Sequence, residues 1–247
     1  MLTLHAASLT TPPLVERLSD SVASGDFLAI LGPNGAGKST LLGLLSGFRK
    51  PAQGSVTLDQ RPLDDWHPHD LAQRRALVAQ QESPVFAWRV DQLAGLGAQC
   101  DEDEVARWLE RLELSDLAQR NVQTLSGGER QRVMIARALC QLAGPSQGTR
   151  YLLLDEPTSA LDIGQSQALM RCLERLTQQQ DLAVICVLHD LNLANAYADR
   201  VWLMDRGTRI ASGAPSEVLR ADALSELYHA ELDELDHSGG HWLALKH

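Results

Sequence analysis

The chain has 247 residues and a formal net charge of −10, with 44% hydrophobic, 22% charged and only 4% aromatic residues. At roughly 150 residues per domain this is one large domain, or a domain with an inserted lobe, and it has ample apolar content for a core. The acidity and the scarcity of rings argue against a duplex-binding or base-stacking nucleic-acid surface. No apolar run approaches the roughly 18 residues of a membrane span, and "MLTLHAASL" lacks the basic and sustained apolar regions of a signal peptide. Cys100, Cys140, Cys172 and Cys186 form no C-x-x-C pair, so they read as buried small hydrophobes in a reducing compartment, which points to the cytosol.

Up to about residue 75 the sequence reads as short alternating strands and turns, "GSVTLDQRPL" being the clearest. "FLAIL" (27–31) is a continuous apolar strand, followed by a glycine loop and the helical run "STLLGLLSG", with Gly47 placed to end that helix. "RALVAQ" (75–80) reads as another strand. From Pro84 to about Gln141 the sequence turns acidic and helical, and in "DEDEVARWLERLEL" the residues Val105, Trp108, Leu109 and Leu112 fall on one helix face. We expect an inserted helical lobe at approximately 84–141 within a single domain spanning 1–247. A turn-rich loop, "GPSQGTR" (144–150), precedes two strand–helix units: "YLLLD" with a helix from about Gly164, then "LAVICVLH" with "LNLANAYA". "RVWLMDRGTRIASG" reads as two strands turning at Arg206-Gly207, and "HWLALKH" as a short closing strand. Strands alternating with helices predict an α/β fold, its core a mainly parallel sheet covered on both faces, with the N-terminal strands expected as an antiparallel β subdomain.

The glycine loop carries chemistry. "GPNGAGKST" fits G-x-x-x-x-G-K-[ST] between an apolar strand and a helix, with Gly32, Gly35, Gly37, Lys38 and Ser39 at the defining positions. Backbone N–H groups of such a loop (Gly32, Pro33, Asn34, Gly35, Ala36, Gly37) wrap phosphate oxygens, Pro33 contributing shape only, and the helix N-terminus adds favourable potential. Lys38 is expected on the β- and γ-phosphates, Ser39 on Mg²⁺ and Thr40 on a neighbouring phosphate. A glycine turn beside a solvated lysine is the bland alternative, and the strand–loop–helix context argues against it. "YLLLDE" (151–156) then supplies Asp155 for Mg²⁺ at the sheet edge and Glu156 to polarise a water. His189, at the end of another strand, is placed to reach the γ-phosphate or that water, while Asp190 suits an N-cap.

"TLSGGERQRVMIARAL" (124–139) poses a question. Ser126 and Glu129 have capping-box spacing, yet Gly127 and Gly128 occupy the first turn, where each weakens the helix. Glycines there let an anion approach exposed N–H groups, although the chain already has a phosphate cradle.

Taken together these motifs resemble the ATP-binding subunits of ABC transporters, over nearly the whole chain. The family order is present: Walker A at 32–39, a glutamine after a strand at Gln80, the signature "LSGGE" at 125–129, Walker B at 151–156, a D-loop "SALD" at 159–162 and a switch histidine, His189. The resemblance implies two subunits packed head-to-tail, with Ser126, Gly127 and Gly128 of one contacting the γ-phosphate on the other. It also implies that Gln80 senses γ-phosphate and Mg²⁺. Two positions depart from the family pattern: Glu129 stands where Gln is common, and Leu9 stands where many members stack an aromatic ring on adenine.

One cassette, no fused span and no long heptad run resemble a separate importer subunit. "PLDDWHPHDLAQRRALVAQ" and "LHDLNLANAYADRVWLMDRG" are similar to the group serving iron-siderophore, haem and vitamin B12 uptake, and "LAVICVLHDLNLA" with "GPSQGTR" leans toward haemin. The implied partners are a second ATPase subunit, integral membrane permease subunits and, indirectly, a periplasmic solute-binding protein, at the cytoplasmic face of the bacterial inner membrane. A siderophore or vitamin B12 importer is the alternative; a regulatory module that does not turn over is opposed by the presence of both Glu156 and His189. Val85, Phe86 and Trp88, after Gln80, are unusually apolar for a connector, and in the family this loop borders the permease. His67, His69, His229, His237, His241 and His247 fit no ligand spacing and read as turn and tail residues.

Overall fold

In the computed structural model, residues 1–10, 15–80, 86–145, 147–179, 181–237 and 240–246 are described. The chain begins with β1 (Leu2–Leu9) and β2 (Val15–Val22), then β3 (Phe27–Leu31), the phosphate-loop motif, and α1 (Lys38–Leu45). All five residues of β3 are buried. Phe27, Ala29 and Leu31 join one core cluster, and Leu28 and Ile30 the other. Alternate residues point to opposite faces, so a strand covered on both sides must be apolar throughout. Helix α1 ends as expected, with Gly47 at φ 70°.

β4 (Gln53–Leu58) and β5 (Arg61–Pro62) pair through a turn at Asp59 and Gln60, both with positive φ, which matches the right-handed twist of a hairpin. The strand order β2-β1-β4-β5 makes an antiparallel sheet. Strands and turns were expected up to about residue 75, yet Pro68–Arg74 forms a helix, α2. Its signal is weak because it is seven residues long and buries only Leu71 and Arg74. Pro68 suits a first turn, where its missing N–H costs nothing, and His67 caps the helix with its ring nitrogen.

After β6 (Arg75–Val78) come α3 (Val90–Ala94), α4 (Glu102–Arg111) and α5 (Gly127–Leu142), which pack on one another. Val105, Trp108, Leu109 and Leu112 are buried, as the helical spacing predicts. Then follow β7 (Arg150–Asp155), α6 (Ile163–Gln179), β8 (Leu182–Val187), α7 (Leu191–Tyr197), β9 (Arg200–Asp205) and β10 (Thr208–Gly213). The β9–β10 turn has positive φ at Arg206 and Gly207, as read from the sequence. The central sheet runs β10-β9-β3-β8-β7-β6, and only β10, at the edge, is antiparallel. The chain closes with α8 (Pro215–Val218), α9 (Ala221–Tyr228) and the hairpin β11 (Leu232–His237) with β12 (Gly240–Leu245). The closing strand was expected; α8, α9 and β11 were not. No helix among the described residues is long and apolar enough to cross a membrane.

Candidate functional site

The phosphate loop joins the C-terminal end of β3 to α1, and neighbouring backbone fixes its course. Gly32 has φ 146°, and a Cβ there would lie 2.2 Å from the Met204 carbonyl oxygen of β9. Only glycine fits. The Gly207 N–H donates to the Ala36 carbonyl at 2.9 Å, so the β9–β10 turn buttresses the loop. Gly35 and Gly37 also have positive φ, and nothing lies within 4 Å of a Cβ built on Gly35. That side stays open for a ligand. Asn34 is exposed and Thr40 buried beneath the loop.

Lys38 is buried, and its Nζ donates to the carbonyls of Gly32 at 2.7 Å and Pro33 at 3.0 Å. Burial pushes its pKa down, opposed by the charges of Glu156 and Asp155. The loop carbonyls hold the ammonium where phosphate oxygens would take it over. Ser39 Oγ donates to Asp155 Oδ1 at 3.2 Å, and burial pushes the Asp155 carboxyl upward, offset in part by that hydrogen bond. A hydroxyl and a desolvated carboxylate side by side are an all-oxygen donor pair, which suits Mg²⁺ held with phosphate and water.

Glu156 directly follows β7 and sits at φ 51°, an uncommon conformation for a residue with a Cβ. Its N–H donates to the Val187 carbonyl of β8 at 3.2 Å, and Ser159 Oγ donates to its carbonyl at 2.9 Å. These contacts turn the carboxylate into the space beside the loop. There Gln80 Nε2 donates to Oε2, and His189 Nε2 lies 2.5 Å from Oε1. Gln80 lies two residues past the end of β6, and His189 two past the end of β8, so both were expected on strands but hang from loops. Asp190 caps α7 through the N–H groups of Asn192 and Leu193.

The structure thus gathers Lys38, Ser39, Gln80, Asp155, Glu156 and His189 around one loop. It does not bring Ser126, Gly127 and Gly128 there: among the described residues no hydrogen bond joins the two. At the start of α5 the capping box is complete, with the Ser126 N–H donating to Glu129 Oε2 at 2.7 Å and the Glu129 N–H to Ser126 Oγ at 3.3 Å. Hydrogen bonds from the Ser126 backbone and side chain to the Glu129 carboxyl hold it below its usual range. Gly128 has an intramolecular role that the sequence did not reveal. Its Cβ would meet Leu161 Cδ2 at 2.8 Å and the Ala160 carbonyl at 2.9 Å.

Leu9 is half-buried at the end of β1, packed on the second core cluster. Val85 lies outside the described residues; Phe86 is 69% exposed, whereas Trp88 packs on the core around α3 to α5. His69 bonds Gln99, and no group of three or more His, Cys, Asp or Glu among the described residues is arranged to hold a metal ion by itself. His247 lies outside the described residues. Asn192, which the sequence did not single out, exchanges two 3.0 Å hydrogen bonds with the Leu243 backbone, tying the helix after His189 to the C-terminal hairpin. The Met204–Gly207 buttress was likewise missed, because only backbone atoms act there.

The profile of the family described as "ABC transporter" matches residues 15–159. The haemin import ATP-binding protein HmuV of Enterobacter cloacae is 44% identical over 226 residues, covering 89% of this chain and 86% of that protein. Among solved structures, a metal-chelate-type ABC transporter in an inward-facing conformation is 28% identical with a TM-score of 0.80, over 99% of this chain and 96% of that one. A dimeric ATP-binding cassette in a post-hydrolysis state with ADP and Pi is 26% identical with a TM-score of 0.73, over 87% of this chain and 99% of that one. With a phosphate loop, a two-carboxylate sheet edge and an open signature helix on one sheet, the chain belongs to the ABC transporter family as an ATP-hydrolysing cassette.

Proposed function

We propose that this chain powers haemin import through a separate membrane permease, at the cytoplasmic face of a bacterial inner membrane. The observation that carries the chemistry is the Glu156 carboxylate, held by Gln80 and His189 beside the phosphate loop. The Gly32, Asn34, Gly35, Ala36 and Gly37 N–H groups and Lys38 bind the phosphates, with Thr40 on a neighbouring phosphate. Ser39, Asp155 and Gln80 would hold Mg²⁺, which would neutralise phosphate charge. Glu156 orients the attacking water and accepts its proton, and His189 holds that carboxylate in place while facing the γ-phosphate. The identity to a haemin import protein over nine-tenths of the chain supports haemin as the solute.

The whole of 1–247 acts as one ATPase unit, with approximately 84–141 as its inserted lobe. Two copies pack head-to-tail, so that Ser126, Gly127 and Gly128 of one close on the nucleotide of the other. ATP then favours the closed pair over the open one. The partners are a second copy and the permease, with a periplasmic binding protein reached through the permease and no nucleic acid. Leu9 gives adenine apolar packing in place of a stacked ring. Exposed Phe86, close in sequence to Gln80, is the permease contact.

The test is uptake into vesicles carrying the intact complex. Haemin should accumulate only with ATP on the cassette side, and vitamin B12 and ferric siderophores should not. Phe86→Asp should stop uptake while leaving the ATPase rate of the isolated subunit within about twofold. Vitamin B12 or siderophore uptake without haemin uptake would overturn the solute, and normal transport by Phe86→Asp the docking surface.

A further inference from the structure

A second charged site lies away from the phosphate loop. A groove of about 470 Å³ opens between the end of α4, the first turns of α5 and the outer face of α6. Arg111, Arg132, Arg171 and Arg175 line it, against one carboxylate, Glu113. The chain has 22 Lys and Arg against 32 Asp and Glu, so four guanidiniums around one groove run against its composition. Together they leave the groove strongly electropositive.

Arg132 is the informative member. It is 8% exposed, and its Nε has no hydrogen-bond partner. Among the described residues its one ion pair is a long contact, 3.4 Å from Nη1 to Glu113 Oε2, and Glu113 itself is largely exposed. A buried guanidinium left so poorly satisfied is costly, and such groups are normally completed by a ligand or ion. Arg171 and Arg175, four residues apart on α6, share one face and make no ion pair among the described residues. Arg111 is oriented by the Trp108 ring, 5.0 Å from its guanidinium carbon. Cys172 lies among them, and the charges of Arg111 and Arg175 draw its thiol pKa down against the larger upward push of burial. That marks positive potential reaching the groove floor.

We propose that this groove is an anion-binding site for a compact, multiply charged phosphate compound of pyrophosphate type, separate from the nucleotide site. The planar forks of four arginines suit several phosphate oxygens at once, and the volume lies within the range of small-molecule sites. A bound anion would complete Arg132 and bridge α4 and α5 to α6.

The probe is sodium pyrophosphate, titrated calorimetrically in phosphate-free buffer into the full chain with its phosphate loop saturated by ADP. One pyrophosphate should bind per chain, more weakly as salt rises. In the Arg171→Gln/Arg175→Gln variant the Kd should rise at least tenfold, with ADP affinity and Tm unchanged because both side chains are exposed. Arg111→Gln, on a different helix, should raise it at least threefold. Absence of saturable binding to the unmodified chain, or unaltered binding by the double variant, would overturn the site.

Discussion

The phosphate loop and the start of α5 are both helix N-termini with glycines, yet they are finished differently. Around the loop the polar groups named above have partners within the chain: Lys38 on two carbonyls, Asp155 on Ser39, and Glu156 between Gln80 and His189. At α5 the capping box satisfies Ser126 and Glu129, while Ser126 and Gly127 remain exposed, a Cβ built on Gly127 meeting only Ala160 Cβ, at 3.4 Å. One half is closed by contacts within its own chain; the other, in our proposal, is completed by a second copy. Preorganisation matters because groups fixed in advance need not reorganise during reaction.

The sharpest way to break that contrast is at Glu156. Glu156→Gln should lower the ATP turnover rate by about 10²–10⁴ while ATP affinity stays within a few-fold. Near wild-type turnover would remove Glu156 as the base.

The two signature glycines separate intramolecular from intermolecular roles. At Gly128 an added Cβ meets backbone and side chain of 160–161 below 3.0 Å, whereas at Gly127 it meets only Ala160 Cβ, at 3.4 Å. Gly128→Ala should therefore destabilise the isolated chain by about 1–3 kcal/mol. Gly127→Ala should leave it unchanged or up to about 1 kcal/mol more stable, yet reduce turnover at least tenfold. Equal stability losses in thermal unfolding would show that both glycines serve the chain's own packing.

Asp155 offers a smaller effect with an instructive sign. Burial raises its pKa in the folded state, so its contribution to stability is fully present below the unfolded pKa and is lost as pH rises through the folded one. Asp155→Asn should therefore raise the Tm of the nucleotide-free protein at neutral pH and flatten that pH dependence. It should also remove stabilisation by Mg²⁺ with ATP. A lower Tm without ligand would mean that the carboxylate stabilises the empty fold.

The contrast between loop and signature was partly legible in the sequence. β3, β7 and β8 carry unbroken apolar runs because both sheet faces are covered, and a loop that must wrap phosphate needs glycines at fixed spacing, so both are written in residue type. The same holds for the capping box of α5 and the turn at Arg206-Gly207. What escaped acts through backbone atoms or over few residues. The Met204 and Gly207 support for the loop leaves no side-chain mark, α2 has one periodic apolar residue, and the reason for Gly128 lies in residues 160–161, distant in sequence. The Asn192–Leu243 pair is a long-range contact for which no local pattern exists.

The central claim is that the bare α5 start completes the nucleotide site of a second copy. Light scattering on the Glu156→Gln protein, with and without Ser126→Arg, tests it most directly, because the exposed Ser126 position lies outside the chain's own phosphate loop. Glu156→Gln should be monomeric without nucleotide and dimeric with ATP, and adding Ser126→Arg should leave a monomer that still binds ATP. An ATP-dependent dimer of unchanged affinity in the double variant would contradict the account.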